Sequence, residues 1–197
     1  MTIESASIGK LLWVLGVIAW YVIRYPFERR AKRVRIVSDR SSLSDRLALV
    51  AALFGLAFVP ALYVATGFPR SADYPTSIAA ILLGATCYLT ALWLFRTSHK
   101  ILGRNWSITL QIREKHEVIG EGPYGFIRHP MYTSFLLMAL GQAFLLSNWV
   151  VGLAGLVCFA VFFFLRVGRE ERMMLESFGP TYRSYMERTK RIIPYLY

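Results

Sequence analysis

The chain has 197 residues, of which 55% are hydrophobic, and it carries a formal net charge of +11. Its apolar runs approach the ~20 residues that cross a bilayer, which indicates one integral membrane domain over residues 1–197 and excludes an ordinary soluble domain. No nucleic-acid motif accompanies the positive charge, and Cys87 and Cys158 lie in apolar runs without the spacing of a disulfide framework or a zinc site.

Five apolar runs predict five transmembrane helices. They occupy residues 8–25, 47–66, 76–95, 131–146 and 150–167. The first run is followed by a dense group of cations instead of being preceded by one, which is the opposite of a cleavable signal peptide. The sequence therefore predicts an all-α integral membrane protein, with three spans in residues 1–95 and two in residues 96–197.

Lysines and arginines are distributed unevenly between the ends of these spans. Of 23, only Lys10 and Arg70 fall at one end, and the others lie in residues 24–46, 96–128 and 166–191. The positive-inside rule then predicts an outer N-terminus and a cytoplasmic C-terminus. Residues 26–46 are expected to be a solvated cytoplasmic loop on anionic lipid, and the charged tail 168–197 a cytoplasmic helix that ends near Pro194.

Shorter signals predict local structure within this plan. Ser44-Asp45 is typical of a helix start, and Pro60 predicts a kink in the second span that requires a neighbour to satisfy the freed carbonyl. Alternation of apolar and polar residues over 107–112 favours a short strand or extended segment. Residues 147–149 leave room only for a tight antiparallel helical hairpin.

Arg128-His129-Pro130 stands at the start of the fourth span. Pro130 suits the first turn of a helix and disfavours helix at the residue before it. Arg128 and His129 would then sit at a helix N-terminus, where free N–H groups and a partial positive charge attract anions. This pattern predicts a carboxylate or phosphate site. The alternative is an interfacial helix cap, with Arg128 on a lipid phosphate.

Glu170-Glu171 follows the fifth span directly and interrupts a basic stretch. A carboxylate this close to the bilayer needs a partner or a function. One interpretation is that one of the two binds a ligand cation. The other is that both form ion pairs with Arg166, Arg169 or Arg172 on the helix surface.

An anion-binding Arg128 and a cation-binding carboxylate together suit a ligand that carries both charges. Aromatic side chains near them would supply the walls: Tyr124, Tyr132 and Trp106. A small ligand with a carboxylate, an ammonium group and a base meets these needs, although spacing alone does not identify it. His99 and His116 lack the spacing and the carboxylate partners of a metal centre, so no metal is predicted.

Several motifs in residues 96–197 resemble the isoprenylcysteine carboxyl methyltransferase and phospholipid methyltransferase-like families. They are Gly103-Arg104-Asn105-Trp106-Ser107, the segment 116–124 with Gly122-Pro123-Tyr124, Arg128-His129-Pro130-Met131-Tyr132, Glu170-Glu171, the segment 178–185, and Arg191-Ile192-Ile193-Pro194. The resemblance implies a membrane-embedded methyltransferase that uses S-adenosylmethionine, with a cofactor-binding and catalytic region in 96–197 on the cytoplasmic side of an inner or cytoplasmic membrane.

The resemblance also implies roles for individual positions. The cofactor-binding residues would be His116, Val118, Gly122, Tyr124, Arg128, His129, Tyr132, Glu170, Glu171, Tyr182 and Tyr185. Arg128 and Glu171 would also be catalytic, and a lipophilic acceptor would enter sideways from the bilayer and attack the methyl group in line. The acceptor would be a prenylcysteine-like carboxylate, a lipid amine or a small hydrophobic molecule.

Two departures from the family pattern and two alternatives remain. Gly125 stands where the family often has Arg, and Ser134 where it often has Gly. Loss of the Arg argues against a prenylcysteine carboxylate as the acceptor.

Membrane sterol reductases have a similar ending, Gly-x-x-Tyr-x-x-Tyr before Arg-x-x-Pro, which makes an NADPH-dependent lipid reductase the enzymatic alternative. A non-catalytic membrane scaffold of the same fold is the other.

Overall fold

A computed structural model describes residues 3–107, 109–113 and 117–197. Its helices are α1 (Ile3–Ala31), α2 (Leu43–Leu53), α3 (Val59–Thr66), α4 (Ile78–Leu102), α5 (Pro130–Leu146) and α6 (Trp149–Arg188). A π-helical turn, Phe54–Phe58, joins α2 and α3 into one continuous helix. Two short strands, β1 (Ile36–Asp39) and β2 (Gln111–Arg113), pair with each other.

The predicted all-α membrane architecture is confirmed. Four helical segments are long and apolar enough to cross a membrane: Ala6–Ala31, Leu43–Thr66, Ile78–Leu102 and Trp149–Arg188. The fifth apolar helix, α5, has 17 residues, at the lower end of the ~17–25 residues that span a bilayer. Short length suits its position, because α5 is packed against α1, α4 and α6 in the middle of the bundle.

Two apolar clusters pack against α5. One joins α5 to α1 and α4 through residues such as Trp13, Tyr88 and Met138. The other joins α5 to α2 and α6 through residues such as Ala48 and Phe163. α5 and α4 approach closely, since a Cβ added at Gly141 would lie 2.5 Å from Cδ2 of Tyr88. Small residues at such contacts are typical of helices packed within a membrane.

The second apolar helix begins as the sequence predicts and is fixed to α6. Ser42 caps α2, and Asp45 completes a capping box by accepting from the Ser42 backbone N–H at 2.8 Å. Asp45 is buried, and Nη1 of Arg169 on α6 lies 3.3 Å from its Oδ1. The start of α2 therefore depends on a tertiary ion pair as well as on its own cap.

The irregularity predicted at Pro60 is present as the π-helical turn before it. In a π-helical turn, the N–H of residue 60 would donate to the carbonyl of Gly55. Proline has no N–H, so Pro60 leaves that carbonyl without this donor. Nε2 of the fully buried Gln142 on α5 donates to that carbonyl at 3.0 Å and to the carbonyl of Val151 at 2.8 Å. A neighbouring helix thus satisfies the freed group, as expected.

The prediction of a solvated loop over 26–46 was wrong in part. α1 continues past Pro26 to Ala31, and residues 36–39 form β1, which pairs antiparallel with β2. The extended segment predicted over 107–112 is present only at its end, as β2, with a partner 72 or more residues earlier in the chain. Ile108 lies outside the described residues. Sequence periodicity within 26–46 gives no sign of this pairing, because it depends on a distant segment.

The tail differs from prediction in where its helix ends. α6 is interrupted at Gly179 (φ 51°, ψ −123°), restarts at Pro180 and ends at Arg188, not near Pro194. Beyond it, the backbone of residues 189–192 turns to pair with the segment before α5. The N–H of Arg128 donates to the carbonyl of Lys190 at 2.7 Å, and the N–H of Lys190 donates to that of Phe126 at 3.1 Å.

Candidate functional site

The backbone pairing just described brings three separate segments to one end of the bundle. The N–H of His129, which precedes α5, donates to the carbonyl of Arg191 at 2.9 Å. On the other side, Thr133 in the first turn of α5 donates its hydroxyl to the carbonyl of Ile192 at 2.7 Å. The end of α6, the tail and the start of α5 are therefore held as one unit.

Glu171 lies at the centre of that unit. Nε of Arg128 donates to its Oε1 at 2.9 Å, and Nη2 of Arg191 donates to its Oε2 at 2.8 Å. Nε2 of His129 lies 3.3 Å from Oε1. The side chain of Glu171 is only 4% exposed, so a buried carboxylate is compensated by two guanidinium groups with charge-assisted hydrogen bonds.

Arg128 also contacts the end of α6. Its Nη1 donates to the carbonyls of Met186, at 3.1 Å, and Thr189. Both carbonyls belong to the C-terminal end of α6, where unsatisfied carbonyls and the helix dipole favour a cation. Arg128 therefore closes the end of α6 while it holds Glu171. These contacts favour a structural role for Arg128. Hydrogen bonds that Arg191 donates to Glu171 raise the pKa of Arg191 above its ordinary value.

Glu170, the neighbouring carboxylate, has a different environment. Its side chain is 31% exposed, and its Oε2 accepts from the hydroxyl of Tyr132 at 2.6 Å. Nε of Arg166 lies 3.8 Å from the same oxygen, and Nδ1 of His129 lies 3.9 Å from Oε1. No charge-assisted hydrogen bond of normal length reaches Oε1 among the described residues, so Glu170 retains accepting capacity toward a ligand.

A cavity of about 440 Å³ lies between these groups and the bundle, a volume within the ~300–1,000 Å³ typical of small-molecule sites. Polar and aromatic side chains line one end, among them Tyr124, His129, Arg166, Glu170, Tyr182 and Tyr185. Apolar side chains from the membrane-spanning helices line the other, among them Val17, Ala52, Leu56, Phe135 and Met138. The cavity thus joins a charged end to an apolar end.

Two tyrosines that line the polar end of the cavity are joined by a hydrogen bond. The hydroxyl of Tyr185 donates to the carbonyl of Tyr124 at 2.7 Å, which ties the second part of α6 to the 3-10 turn Gly122–Gly125. Tyr124 is itself buried, and burial raises the pKa of its phenol well above the ordinary value, with the charges of Tyr185 and Glu170 acting in the same direction. Tyr124 therefore stays neutral at physiological pH.

Eight of the eleven residues predicted to bind the cofactor line this cavity. They are Val118, Tyr124, Arg128, His129, Tyr132, Glu170, Tyr182 and Tyr185. Glu171 lies behind the lining, paired as described. Gly122 also lies outside it and has φ 56°, with a built Cβ only 2.5 Å from Cδ1 of Ile101. His116 falls outside the described residues. The roles of all eleven residues stay predictions.

Sequence reasoning missed three contributions to this region. Arg191 was noted only as part of the Arg-x-x-Pro ending, yet it supplies half of the compensation of Glu171. The apolar wall was not predicted, because residues such as Val17 and Met138 have the same sequence signal as side chains that face lipid. Arg24 in α1 also lines the cavity, and its position near the end of the first predicted span is the one available signal.

Comparison with protein families places these features in a known group. The model of the isoprenylcysteine carboxyl methyltransferase (ICMT) family matches residues 79–176, about half of the chain, a stretch that includes Arg128, Glu170 and Glu171. The chain belongs to the ICMT family. The matched stretch runs from α4 through α5 into α6 and therefore covers most of the polar end of the cavity.

Curated relatives agree with this ICMT membership. Protein-S-isoprenylcysteine O-methyltransferase B of Arabidopsis thaliana is 30% identical over 115 residues, which cover 57% of this chain and 58% of that protein. The cobalt-zinc-cadmium resistance protein CzcN of Cupriavidus metallidurans is 28% identical over 109 residues, covering 55% and 50%. The chain thus spans little more than half the length of these relatives.

A solved structure shares the ICMT fold. It is described as the eukaryotic intramembrane Ras methyltransferase ICMT, and it matches with a TM-score of 0.54 and 22% sequence identity. The match covers 81% of this chain and 55% of that one. At this identity the likeness concerns the arrangement of the helices alone.

Proposed function

We propose that this chain is a membrane-embedded methyltransferase that uses S-adenosylmethionine and methylates a lipophilic acceptor. The observation that carries the proposal is the cavity. The partly exposed Glu170 lies at its polar end, and apolar side chains of the membrane-spanning helices line its other end. ICMT membership and relatives named as O-methyltransferases support it. A ligand with an ammonium group and a lipid-like acceptor would find matching surroundings in this one space.

Glu170 would hold the cofactor's ammonium group. The carboxylate is accessible from the cavity, and Tyr132 orients it through a 2.6 Å hydrogen bond to Oε2. Tyr182 and Tyr185 would pack against the rest of the cofactor, with Val118 and Tyr124 on the loop side. S-adenosylmethionine supplies a methyl group made electrophilic by its sulfonium charge, so the protein needs to position the reactants and exclude water rather than to move a proton first.

Arg128 and Glu171 would act as positioning residues. Arg128 donates to Glu171 and to the end of α6, and Glu171 accepts from both Arg128 and Arg191. The His129 ring, which lies between Glu170 and Glu171, is fixed by that network and lines the cavity. The family motif implied that Arg128 and Glu171 are catalytic and bind the cofactor. We instead assign them the role of holding the residues that do.

The acceptor would enter from the bilayer along the apolar end of the cavity, and Arg24 would bind its anionic group. The Arg24 guanidinium carbon lies 5.3 Å from the ring centre of Trp20 and 5.4 Å from that of Trp106, beside the cavity. Nε of Arg24 pairs with Glu28 at 3.2 Å, and its terminal nitrogens would supply the cation in a chain where Gly125 stands in place of the family's usual Arg. This favours a lipophilic carboxylate, such as a prenylcysteine, over a lipid amine.

The polar end of the cavity would face the cytoplasm. The support is the charge distribution, since 21 of the 23 lysines and arginines lie in residues 24–46, 96–128 and 166–191. The test uses variants that lack Cys87 and Cys158. In intact cells, a membrane-impermeant maleimide should label Ser71→Cys. It should label Lys190→Cys only after the inner face of the membrane is made accessible. The reverse pattern would invert the orientation.

Calorimetric titration of the protein in lipid nanodiscs tests the donor. We expect S-adenosylmethionine to bind and NADPH not to bind. Glu170→Gln should weaken binding about tenfold or more, since a hydrogen bond to a charged group contributes about 1.5–3 kcal/mol. The matched control is Glu187→Gln, an exposed carboxylate on the same helix. Binding of NADPH alone would support the reductase alternative and refute the proposal.

Transfer of labelled methyl groups into a lipid extract, followed by mass spectrometry, tests the reaction and identifies the acceptor. A protein that binds the cofactor but labels no lipid, no prenylcysteine and no small hydrophobic molecule would favour a non-catalytic scaffold. Label in a lipid amine, with none in a carboxylate, would contradict the role given to Arg24.

A further inference from the structure

A second concave surface lies outside the cavity, between the last turns of α1 and α4. Ile23, Phe27 and Val34 form its apolar floor, and Arg30, Arg96 and Lys100 line it as well. None of these six residues lines the cavity that contains Glu170. We call it the α1–α4 groove. It opens on the end of the bundle where nearly all the cations lie.

The three cations of the groove are exposed and, among the residues that the structure describes, make no salt bridge with a carboxylate. Their neighbours differ in this respect. Glu28, the acidic residue in this part of α1, pairs with Arg24 at 3.2 Å and with Lys32 at 3.1 Å. The groove therefore concentrates three positive charges without internal compensation, and it can bind an anion from outside.

Exposed apolar strips run from the groove toward the bilayer centre. On α1, Ile18 and Val22 follow one face at helical spacing and are 54% and 62% exposed. On α4, Leu89 and Trp93 continue the face of Arg96 and are 68% and 65% exposed. A molecule with an anionic group at the groove could therefore lay hydrocarbon chains along both helices.

We propose that the α1–α4 groove is a binding site for one anionic glycerophospholipid. Its phosphate lies among Arg30, Arg96 and Lys100, and its acyl chains lie along the two apolar strips. Basic pockets between transmembrane helices at the cytoplasmic interface have the chemistry that recognises such headgroups. The lipid would join the ends of α1 and α4, outside the cavity that contains Glu170.

Native mass spectrometry of lipid retention tests the site. The purified protein is exchanged into detergent with dioleoylphosphatidylglycerol or dioleoylphosphatidylcholine. We expect one phosphatidylglycerol to be retained, at least about tenfold more than phosphatidylcholine, and the variant Arg30→Gln/Arg96→Gln/Lys100→Gln to lose that preference. The matched control, Arg29→Gln/Arg33→Gln/Arg35→Gln, removes the same charge from exposed cations outside the groove and should keep it.

Three outcomes would overturn the proposal. Equal loss in the control variant would show diffuse attraction to the basic surface. Equal retention of both lipids would show apolar packing alone. Displacement of the lipid by glycerol 3-phosphate at the same concentration would show a free-phosphate site without a role for the chains. If the triple variant fails to fold by circular dichroism, Arg96→Gln alone should reduce the preference about threefold, and an unchanged preference would equally refute the site.

Discussion

Nε of Arg128 lies 2.9 Å from Oε1 of Glu171, although 43 residues separate them. The pair joins the segment before α5 to the end of α6, and Arg191 connects the tail to the same carboxylate. The polar end of the cavity is built on this junction. The next residue, Glu170, lines the cavity instead, so one of two adjacent carboxylates is buried among cations and the other is open to the cavity.

Glu171→Gln should destabilise the protein by about 3 kcal/mol. The change leaves two guanidinium groups without their buried counter-charge, and the value lies at the low end of the usual range because Arg191 is one-third exposed. Reversible unfolding in mixed detergent micelles measures it. Glu170→Gln is the matched control and should cost far less. Similar losses for the two variants would contradict the division of roles.

Gln142→Leu should lower the free energy of unfolding by about 1–2 kcal/mol, because the carbonyls of Gly55 and Val151 then lose a buried donor. In a Pro60→Ala background the loss should be smaller, since residue 60 regains an N–H that reaches the Gly55 carbonyl. The same micelle unfolding assay gives the double-mutant cycle. Additive losses would mean that Gln142 does not compensate for the proline.

Gly122→Ala should destabilise the protein by about 1–2 kcal/mol. At φ 56° a side chain is strained, and its Cβ would lie 2.5 Å from Ile101. Gly120→Ala is the control, because its built Cβ meets nothing closer than 3.7 Å and its φ is not positive. Thermal unfolding of both variants decides the point, and equal midpoints would show that the turn before α5 tolerates a side chain at Gly122.

Arg24→Gln should raise KM for a lipophilic carboxylate about tenfold and change kcat little. The reason is that Arg24 would bind the acceptor's anionic group and not the reacting atoms, and loss of one charged hydrogen bond corresponds to about 1.5–3 kcal/mol. Initial rates with a prenylcysteine substrate measure it. The exposed Arg29→Gln should behave as wild type, and a fall in kcat alone would argue against the assignment.

The sequence carries enough information to place α5 and the α5–α6 hairpin. Pro130 fixes the start of α5 through its ring geometry, and it stands first in the observed helix. Residues 147–149 leave no alternative to a tight turn, and Asn148 caps α6 by accepting from the N–H of Val151 at 3.0 Å. These features depend on neighbouring residues, so local rules are sufficient.

Features that depend on tertiary packing could not be predicted in the same way. Residues at i and i+1 differ by about 100° around a helix, but whether Glu170 or Glu171 meets the cavity depends on how α6 is rotated against α5. The pairing of β1 with β2 is likewise set by distant segments. Val17 and Met138 look like lipid-facing residues until the helices are placed around the cavity.

The tail meets the segment before α5 mainly through main-chain atoms, as in the bonds that join Lys190 to Phe126 and to Arg128. The side chain of Lys190 should therefore vary freely in related proteins, whereas the number of residues between Glu171 and Arg191 should not. A single insertion or deletion there would bring the wrong side chain to the carboxylate. In related proteins this stretch should be constrained in length as well as at the positions of Tyr182 and Tyr185, which line the cavity.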